Sequence, residues 1–259
     1  KMETGSITQY VDFAQLVLYV FWIFFFGLVA YLTLEGKREG FPLESSDLRG
    51  GKGKEEIGLL PLPTPKVFRT KYMGDFTAPH SRDVIGEPIA GQPINKFPGA
   101  PIEPTGDNPM NDNIGPGSYT NRSDVPDLTA LGDFKIVPLR VTENFSIDKD
   151  DIDPRGLEVK GFDKVSGGSC TDVWVDRSED IIRYLELKTK TGKTVLLPFN
   201  FCNIRKDFIS VESILGAQFE NVPTLKNQNT ISLLEEEKVM AFYGAGTLMA
   251  YPKRRESIV

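Results

Sequence analysis

Hydrophobic and polar positions follow three successive patterns along the chain. The first is a continuous apolar run, Phe13–Leu34 (FAQLVLYVFWIFFFGLVAYLTL), 22 residues with no charged side chain. At 1.5 Å per residue it makes about 33 Å of helix, enough to cross a hydrocarbon core of about 30 Å. Tyr10 and Tyr31 place aromatic rings near its ends, where the membrane interface favours them. A cleaved signal peptide would need a shorter apolar core, a basic start and a small-residue cleavage site. Here Glu3 and Asp12 precede the run and Glu35-Gly36-Lys37-Arg38 follows it, so a retained span is expected.

The second pattern, from Glu35 to Pro126, has no sustained period. It holds most of the chain's prolines: of 18, 14 fall between Pro42 and Pro138. Strings such as LPLPTPK (60–66) and FPGAPIEPTGDNP (97–109) predict extended and turn structure. Yet Leu60, Val67, Phe68, Tyr72, Phe76, Ile94 and Ile102 recur through the segment, as evenly spread anchors for a surface. In the third pattern, short alternating runs predict strands at 135–141, 156–162, 171–177, 183–190, 193–199 and 208–211. Thr191-Gly192 marks a hairpin turn between two of them. Five or six short strands with tight turns predict a small, strongly bent sheet or barrel. In TISLLEEEKVMAFYG (230–244), Ser232 and Glu235 form a capping-box signature for a helix, with Gly244 and Gly246 as its stop.

The expected architecture is a single N-terminal transmembrane helix, an extended Pro/Gly-rich segment, and a mainly β domain with a C-terminal helix. The divisions are a tail at 1–12, the span at 13–34, the extended segment at 35–126 and the β domain at 127–259. Lys37, Arg38, Arg49, Lys52 and Lys54 follow the span and only Lys1 precedes it, which predicts a periplasmic N-terminus and a cytoplasmic main domain. Lys37 and Arg38 are expected at lipid head groups.

Composition narrows the chemistry. The formal charge is −6, which argues against a grip on nucleic-acid phosphates. One histidine, His80, excludes His-based triads and HExxH zinc sites within the chain. Cys170 and Cys202 form no CxxC pair, which argues against a zinc site and a disulfide framework. Gly50-Gly51-Lys52-Gly53 lacks P-loop spacing, and Gly244-Ala245-Gly246 follows a helix, the wrong order for a dinucleotide fingerprint. Between Glu143 and Asp180 there are 11 acids against five bases, a net −6 equal to that of the whole chain. A solvated acidic face and a set of proton-handling carboxylates both fit such a stretch.

Several strings, in order and over nearly the whole chain, carry a resemblance. They include YLTLEGKREGFPLE (31–44), LPLPTPKVF (60–68), PTGDNPMNDNIGPGSY (104–119), KIVPLRV (135–141), DIDPRGLEV (151–159), TDVWVDRSE (171–179), LLEEEKV (233–239) and FYGAGTLMAYPKR (242–254). Behind a single N-terminal span, these resemble the H subunit of the purple bacterial photosynthetic reaction centre. That family's β domain is a PRC-barrel.

The resemblance implies a subunit that binds no cofactor directly and is not itself an enzyme. It would cap the cytoplasmic face of the L and M subunits in the photosynthetic inner membrane. Bacteriochlorophyll, bacteriopheophytin, quinones and non-haem iron would belong to those partners, and a cytochrome subunit, a light-harvesting ring and membrane lipids would complete the surroundings. The subunit would stabilise the quinone and iron region and help convey protons to the secondary quinone. Carried over position by position, the family's internal glutamate matches Glu179, the aspartate closing WVD matches Asp176, and the arginine before the YLE string matches Arg183. Arg122 matches one of a pair of entrance arginines, whose neighbour is Ser123 here. Where some members carry an aspartate and two surface histidines, this chain has Thr129, Leu131 and Asp133, so only Asp133 could titrate there. Two other classes stay open on the residues alone. One is a membrane-anchored PRC-barrel module for RNA or ribosomal protein, which the acidic β region disfavours. The other is an anchored enzyme with paired carboxylates.

Overall fold

The computed structural model describes residues 12–39, 60–61, 63–78, 90–97 and 100–254. Arg49, Lys52 and Lys54, the Gly50–Gly53 string, His80 and Arg255 lie outside the described residues. The chain divides into two units, Lys1–Pro88 and Ile89–Val259.

In the first unit, helix α1 (Phe13–Arg38) is long and apolar enough to cross a membrane. Asp12 caps it, its carboxylate accepting the Gln15 amide at 2.7 Å. The helix runs four residues past Leu34, the expected end of the span, because nothing in Glu35-Gly36-Lys37-Arg38 breaks it; Lys37 and Arg38 also suit the negative end of its dipole. These two cations turn onto the chain itself. Lys37 is buried with its ammonium on the Leu60 carbonyl, and Arg38 donates to the Thr64 carbonyl beside Glu35. They thereby tie the start of the Pro-rich segment to the end of α1. Strands β1 (Lys66–Arg69) and β2 (Asp75–Ala78) follow as an antiparallel hairpin.

The second unit opens with a small hairpin, β3 (Gly91–Pro93) and β4 (Ile102–Pro104), and two 3-10 turns at Pro109–Asn111 and Gly115–Gly117. Next come β5 (Ile136–Pro138), β6 (Glu158–Lys160), β7 (Ser166–Asp176), β8 (Ile181–Thr189), β9 (Thr194–Pro198), β10 (Cys202–Ile204) and β11 (Phe208–Val211), then helix α2 (Leu233–Met249). The seven strands β5–β11 form one sheet in the order β10-β11-β6-β7-β8-β9, with β5 on the far end of β7. All pairs are antiparallel except β11 with β6.

The sheet bends on β7. Register shifts at Cys170/Asp172 and Trp174/Val175 kink that strand, so its first half pairs with β6 and its last three residues with β5. The predicted strand at 171–177 starts five residues early for this reason. Its Gly167 lets the strand pass Phe219, whose ring atom Cδ2 would stand 2.2 Å from a β-carbon there. The second half of the predicted 135–141 strand is instead a 3-10 turn, Leu139–Val141, because Arg140 turns off the sheet edge. β10 was not expected; its burial alternates too weakly over three residues to be read.

The core joins Val173, Trp174, Leu185, Leu187, Val195, Leu197, Ile209, Phe219, Val239, Phe242 and Tyr243. The capping box forms as expected, Ser232 Oγ accepting the Glu235 amide at 3.1 Å and Glu235 Oε2 accepting the Ser232 amide at 2.8 Å. Gly244 and Gly246, the expected stop, lie inside α2. They are places of close approach: a β-carbon on Gly244 would stand 2.7 Å from the Pro116 carbonyl oxygen, and one on Gly246 2.6 Å from that of Ser213.

Candidate functional site

Strand β7 ends by placing Asp176 at the mouth of a tight turn. Asp176 Oδ1 accepts the amides of Ser178 at 2.9 Å and Glu179 at 3.2 Å, and Asp180 closes the turn with φ at 54°. Asp176 thus caps a turn while fully buried, and its other oxygen, Oδ2, has no hydrogen bond. The cation that answers it is Lys135, one residue before β5, at 3.5 Å.

Lys135 also lies 3.7 Å from Asp127 Oδ2 and 3.6 Å from Glu179 Oε1. Its position follows from backbone pairing: its amide donates to the Asp127 carbonyl, and its carbonyl accepts the Arg177 amide. Three carboxylates, Asp127 from one segment and Asp176 and Glu179 from the turn after β7, therefore face one ammonium. Burial pulls that ammonium's pKa down, but the charges of Asp176, Asp127 and Glu179 outweigh it and hold the group above its ordinary value. Asp176 is sealed from water, whereas the Glu179 side chain is 54% exposed, so the cluster runs from interior to surface.

A second set adjoins it through Asp127. The Tyr184 hydroxyl on β8 donates to Glu236 Oε2 on α2 at 2.8 Å. Burial raises the Glu236 carboxyl; Tyr184, Arg183 and Arg122 oppose that rise, and Asp127 adds to it. Burial, with Glu236 beside it, pushes the Tyr184 phenol up as well. Arg122 lies 3.5 Å from Glu237. Four of the expected residues, Asp176, Glu179, Arg183 and Arg122, thus belong to one electrostatic neighbourhood. Asp133 stands apart at the tip of the 129–133 turn: its backbone bonds Thr129 and, among the described residues, its carboxylate forms no ion pair. Leu131, Phe134 and Ile181 leave an exposed apolar rim around the cluster, Leu131 at 82%.

Sequence reading missed Lys135, Asp127, Glu236 and Tyr184. Lys135 read as the first residue of a strand and Glu236 as one position of the 230–244 helix. The available signal was the Pro126-Asp127-Leu128 string just after Arg122, which holds Asp127, and the LLEEEKV string that holds Glu236. Of the 11 acids between 143 and 180, only Asp172 and Asp176 are buried, so most of that stretch is a solvated face.

A separate network lies further along β7 and β8, its acids and Trp174 buried and its arginine at the surface. Arg140 Nη1 bonds Asp172 Oδ2 at 3.0 Å and Glu186 Oε2 at 2.7 Å, and Trp174 Nε1 donates to the same Glu186 oxygen at 3.1 Å. Arg140, Asp172 and Glu186 border a cavity of about 460 Å³ that Arg155 and Gln228 also line. The Arg140 guanidinium is spent on its neighbours, including Asn229 Oδ1, so the network reads as structural. Burial pushes the Cys170 thiol up to about 12 and the Cys202 thiol up to about 11, so neither is a thiolate nucleophile near neutral pH.

Comparison with known families agrees with this architecture. Residues 5–141 match the family described as photosynthetic reaction centre, H-chain N-terminal region, and residues 132–218 match the PRC-barrel domain. The first match covers more than half of the chain and takes in α1, and the second takes in the bent sheet. This chain therefore belongs to the photosynthetic reaction-centre H-chain family, a subunit with a membrane-anchor helix in front of a PRC-barrel.

Proposed function

We propose that this subunit caps the cytoplasmic face of the L and M subunits and relays protons toward the secondary quinone they hold. The observation that carries the relay is the cluster around Lys135. It links a buried carboxylate, Asp176, to a half-exposed one, Glu179, with a fixed counter-charge between them. Glu179 Oε1 takes a proton from solvent. Asp176 Oδ2, with a free lone pair, is the inner station, and the Lys135 ammonium stands beside both carboxylates as their shared counter-charge. Arg183 and Arg122 offset the negative charge of Glu236 and Glu237 next to this route. Asp133, exposed two residues from Lys135, collects protons at the surface.

The apolar rim of Leu131, Phe134 and Ile181 supports a partner surface over the cluster, since rings and branched chains of this size gain by leaving water. In this reading α1 lies beside the partners' helices with its N-terminus periplasmic. The pigments, quinones and non-haem iron belong to L and M, and a cytochrome subunit and a light-harvesting ring share the complex. Lys37 and Arg38 lie at head-group depth while tying down the Pro-rich segment. Affinity purification of this chain from its native membrane tests the assembly. Bacteriochlorophyll absorption in the eluate is expected, and a colourless eluate containing this chain alone overturns the reading.

A further inference from the structure

We infer that the β1–β2 hairpin is a membrane-surface foot, resting on anionic phosphodiester head groups of the bilayer around α1, with its rings at the acyl boundary and its cations on the phosphates. The inference concerns the first unit alone and stands apart from the proton-relay reading.

The hairpin begins where the span ends. Lys66, the first residue of β1, lies 3.7 Å from Glu35 Oε2, and Glu35 directly follows Leu34, the last apolar residue of the span. Lys37 and Arg38 hold the connecting chain by the Leu60 and Thr64 carbonyls. Each strand has four residues, about 13 Å of chain, so the hairpin stays close to the depth at which α1 leaves the bilayer. Val67, Phe68, Tyr72, Met73 and Phe76 are each 40–56% exposed. Phe68 and Phe76 stand directly opposite one another and so share a face. Tyr72 and Met73 occupy the tip, in a turn closed by the Thr70 amide and hydroxyl on the Gly74 carbonyl.

Two strands with their rings in water are marginal by themselves, so the hairpin needs a surface to rest on. Its charge names that surface. Residues 66–78 carry Lys66, Arg69 and Lys71 against Asp75, a net +2 in a chain of −6. The Lys66 ammonium lies 5.5 Å from the Phe68 ring centre and the Lys71 ammonium 4.7 Å from that of Tyr72. Lysines interleaved with aromatic rings suit a head-group layer, which offers phosphate on one side and acyl chain on the other. The core of a protein interface is depleted in lysine instead.

The test places the assembled complex in lipid nanodiscs of phosphatidylcholine, with or without phosphatidylglycerol. A nitroxide label on Met73→Cys reports the tip, and the complex without that substitution supplies the blank. Power saturation compares collisions with oxygen, which concentrates among acyl chains, and with a water-soluble nickel chelate. Oxygen is expected to dominate in the anionic discs. The ratio of docked to undocked label is expected to fall about 30-fold in Arg69→Gln/Lys71→Gln, about fivefold for each cation lost, and to hold in Arg69→Lys/Lys71→Arg. Exchange into discs without phosphatidylglycerol should lower the ratio in the same direction. That exchange alters no residue, so it decides the matter if the double variant misfolds. Nickel access that is equal in both disc compositions puts the hairpin in water. A label screened from both reagents, whatever the lipid, puts it under a protein partner. Either result overturns the inference.

Discussion

The Tyr184 hydroxyl lies 2.8 Å from Glu236 Oε2, and this bond joins strand β8 to the first turns of α2. It does so without neutralising the acid: Glu236 remains a half-buried carboxyl with its proton affinity raised, chiefly by desolvation.

That raised affinity has a sign in the pH dependence of stability. A carboxyl whose folded value exceeds its unfolded one holds its proton more tightly in the native state. Stability is therefore lost as pH rises from the ordinary glutamate value through the raised one. Glu236→Gln keeps an acceptor for Tyr184 and removes the titration. Urea unfolding of the detergent-solubilised chain, below and above that interval, is expected to show the variant gaining on the parent as pH rises. A difference independent of pH would place the Glu236 carboxyl in solvent.

The Arg140 network makes a different prediction because its members pair fully. Glu186 accepts from Arg140, Trp174 and Thr171, the last through Oε1 at 3.0 Å. Glu186→Ala leaves a buried indole N–H and strips Arg140 of the nearer of its two carboxylate partners, at a cost of about 3 kcal/mol. The same unfolding assay checks this, and a loss below about 1 kcal/mol would mean that water takes over the vacated bonds.

Gly246→Ala separates helix propensity from packing. In an exposed helix the change gains about 1 kcal/mol. Here the added methyl would stand 2.5 Å from Ile214 Cγ2 and 2.6 Å from the Ser213 carbonyl oxygen, and the backbone oxygen has nowhere to go. The substitution is expected to destabilise by about 1–3 kcal/mol, read as a lower thermal midpoint. A higher midpoint would show that α2 can shift away from the 213–214 segment.

The same glycine shows why parts of this fold were legible and parts were not. Span, capping box and most strands depend on local periods, so the start of α1, the Ser232–Glu235 box and both ends of β11 emerged where they lie. Gly244 and Gly246 carry the same local signal whether they stop a helix or admit a neighbour, and only the packing of Pro116 and Ser213 decides between those roles. The site divides the same way. Asp176 and Glu179 stood in a recognisable string, three residues apart. Lys135 and Asp127 lie more than 40 residues before them and join them only because β5 pairs with the end of β7. No period in the sequence encodes that pairing.

Glu179 and Asp176 can be told apart by function, because one faces water and the other does not. Glu179→Gln removes the outer station and leaves the turn intact, since the turn uses the Glu179 amide and not its side chain. In the assembled complex the proton-coupled second reduction of the secondary quinone is expected to slow, by at most on the order of 10²-fold. The deficit should widen with pH, because free protons grow scarce and a collecting carboxylate matters more. Primary charge separation moves no proton and should keep its rate. Asp176→Asn keeps an acceptor for the Ser178 and Glu179 amides but removes the inner charge, so it should slow the same step even where protons are plentiful. Flash-induced absorbance kinetics across pH distinguish the two patterns. Rates equal to the parent's in both variants at every pH would leave the cluster a structural tether between β5, β7 and the turn, and the proton path would have to run elsewhere.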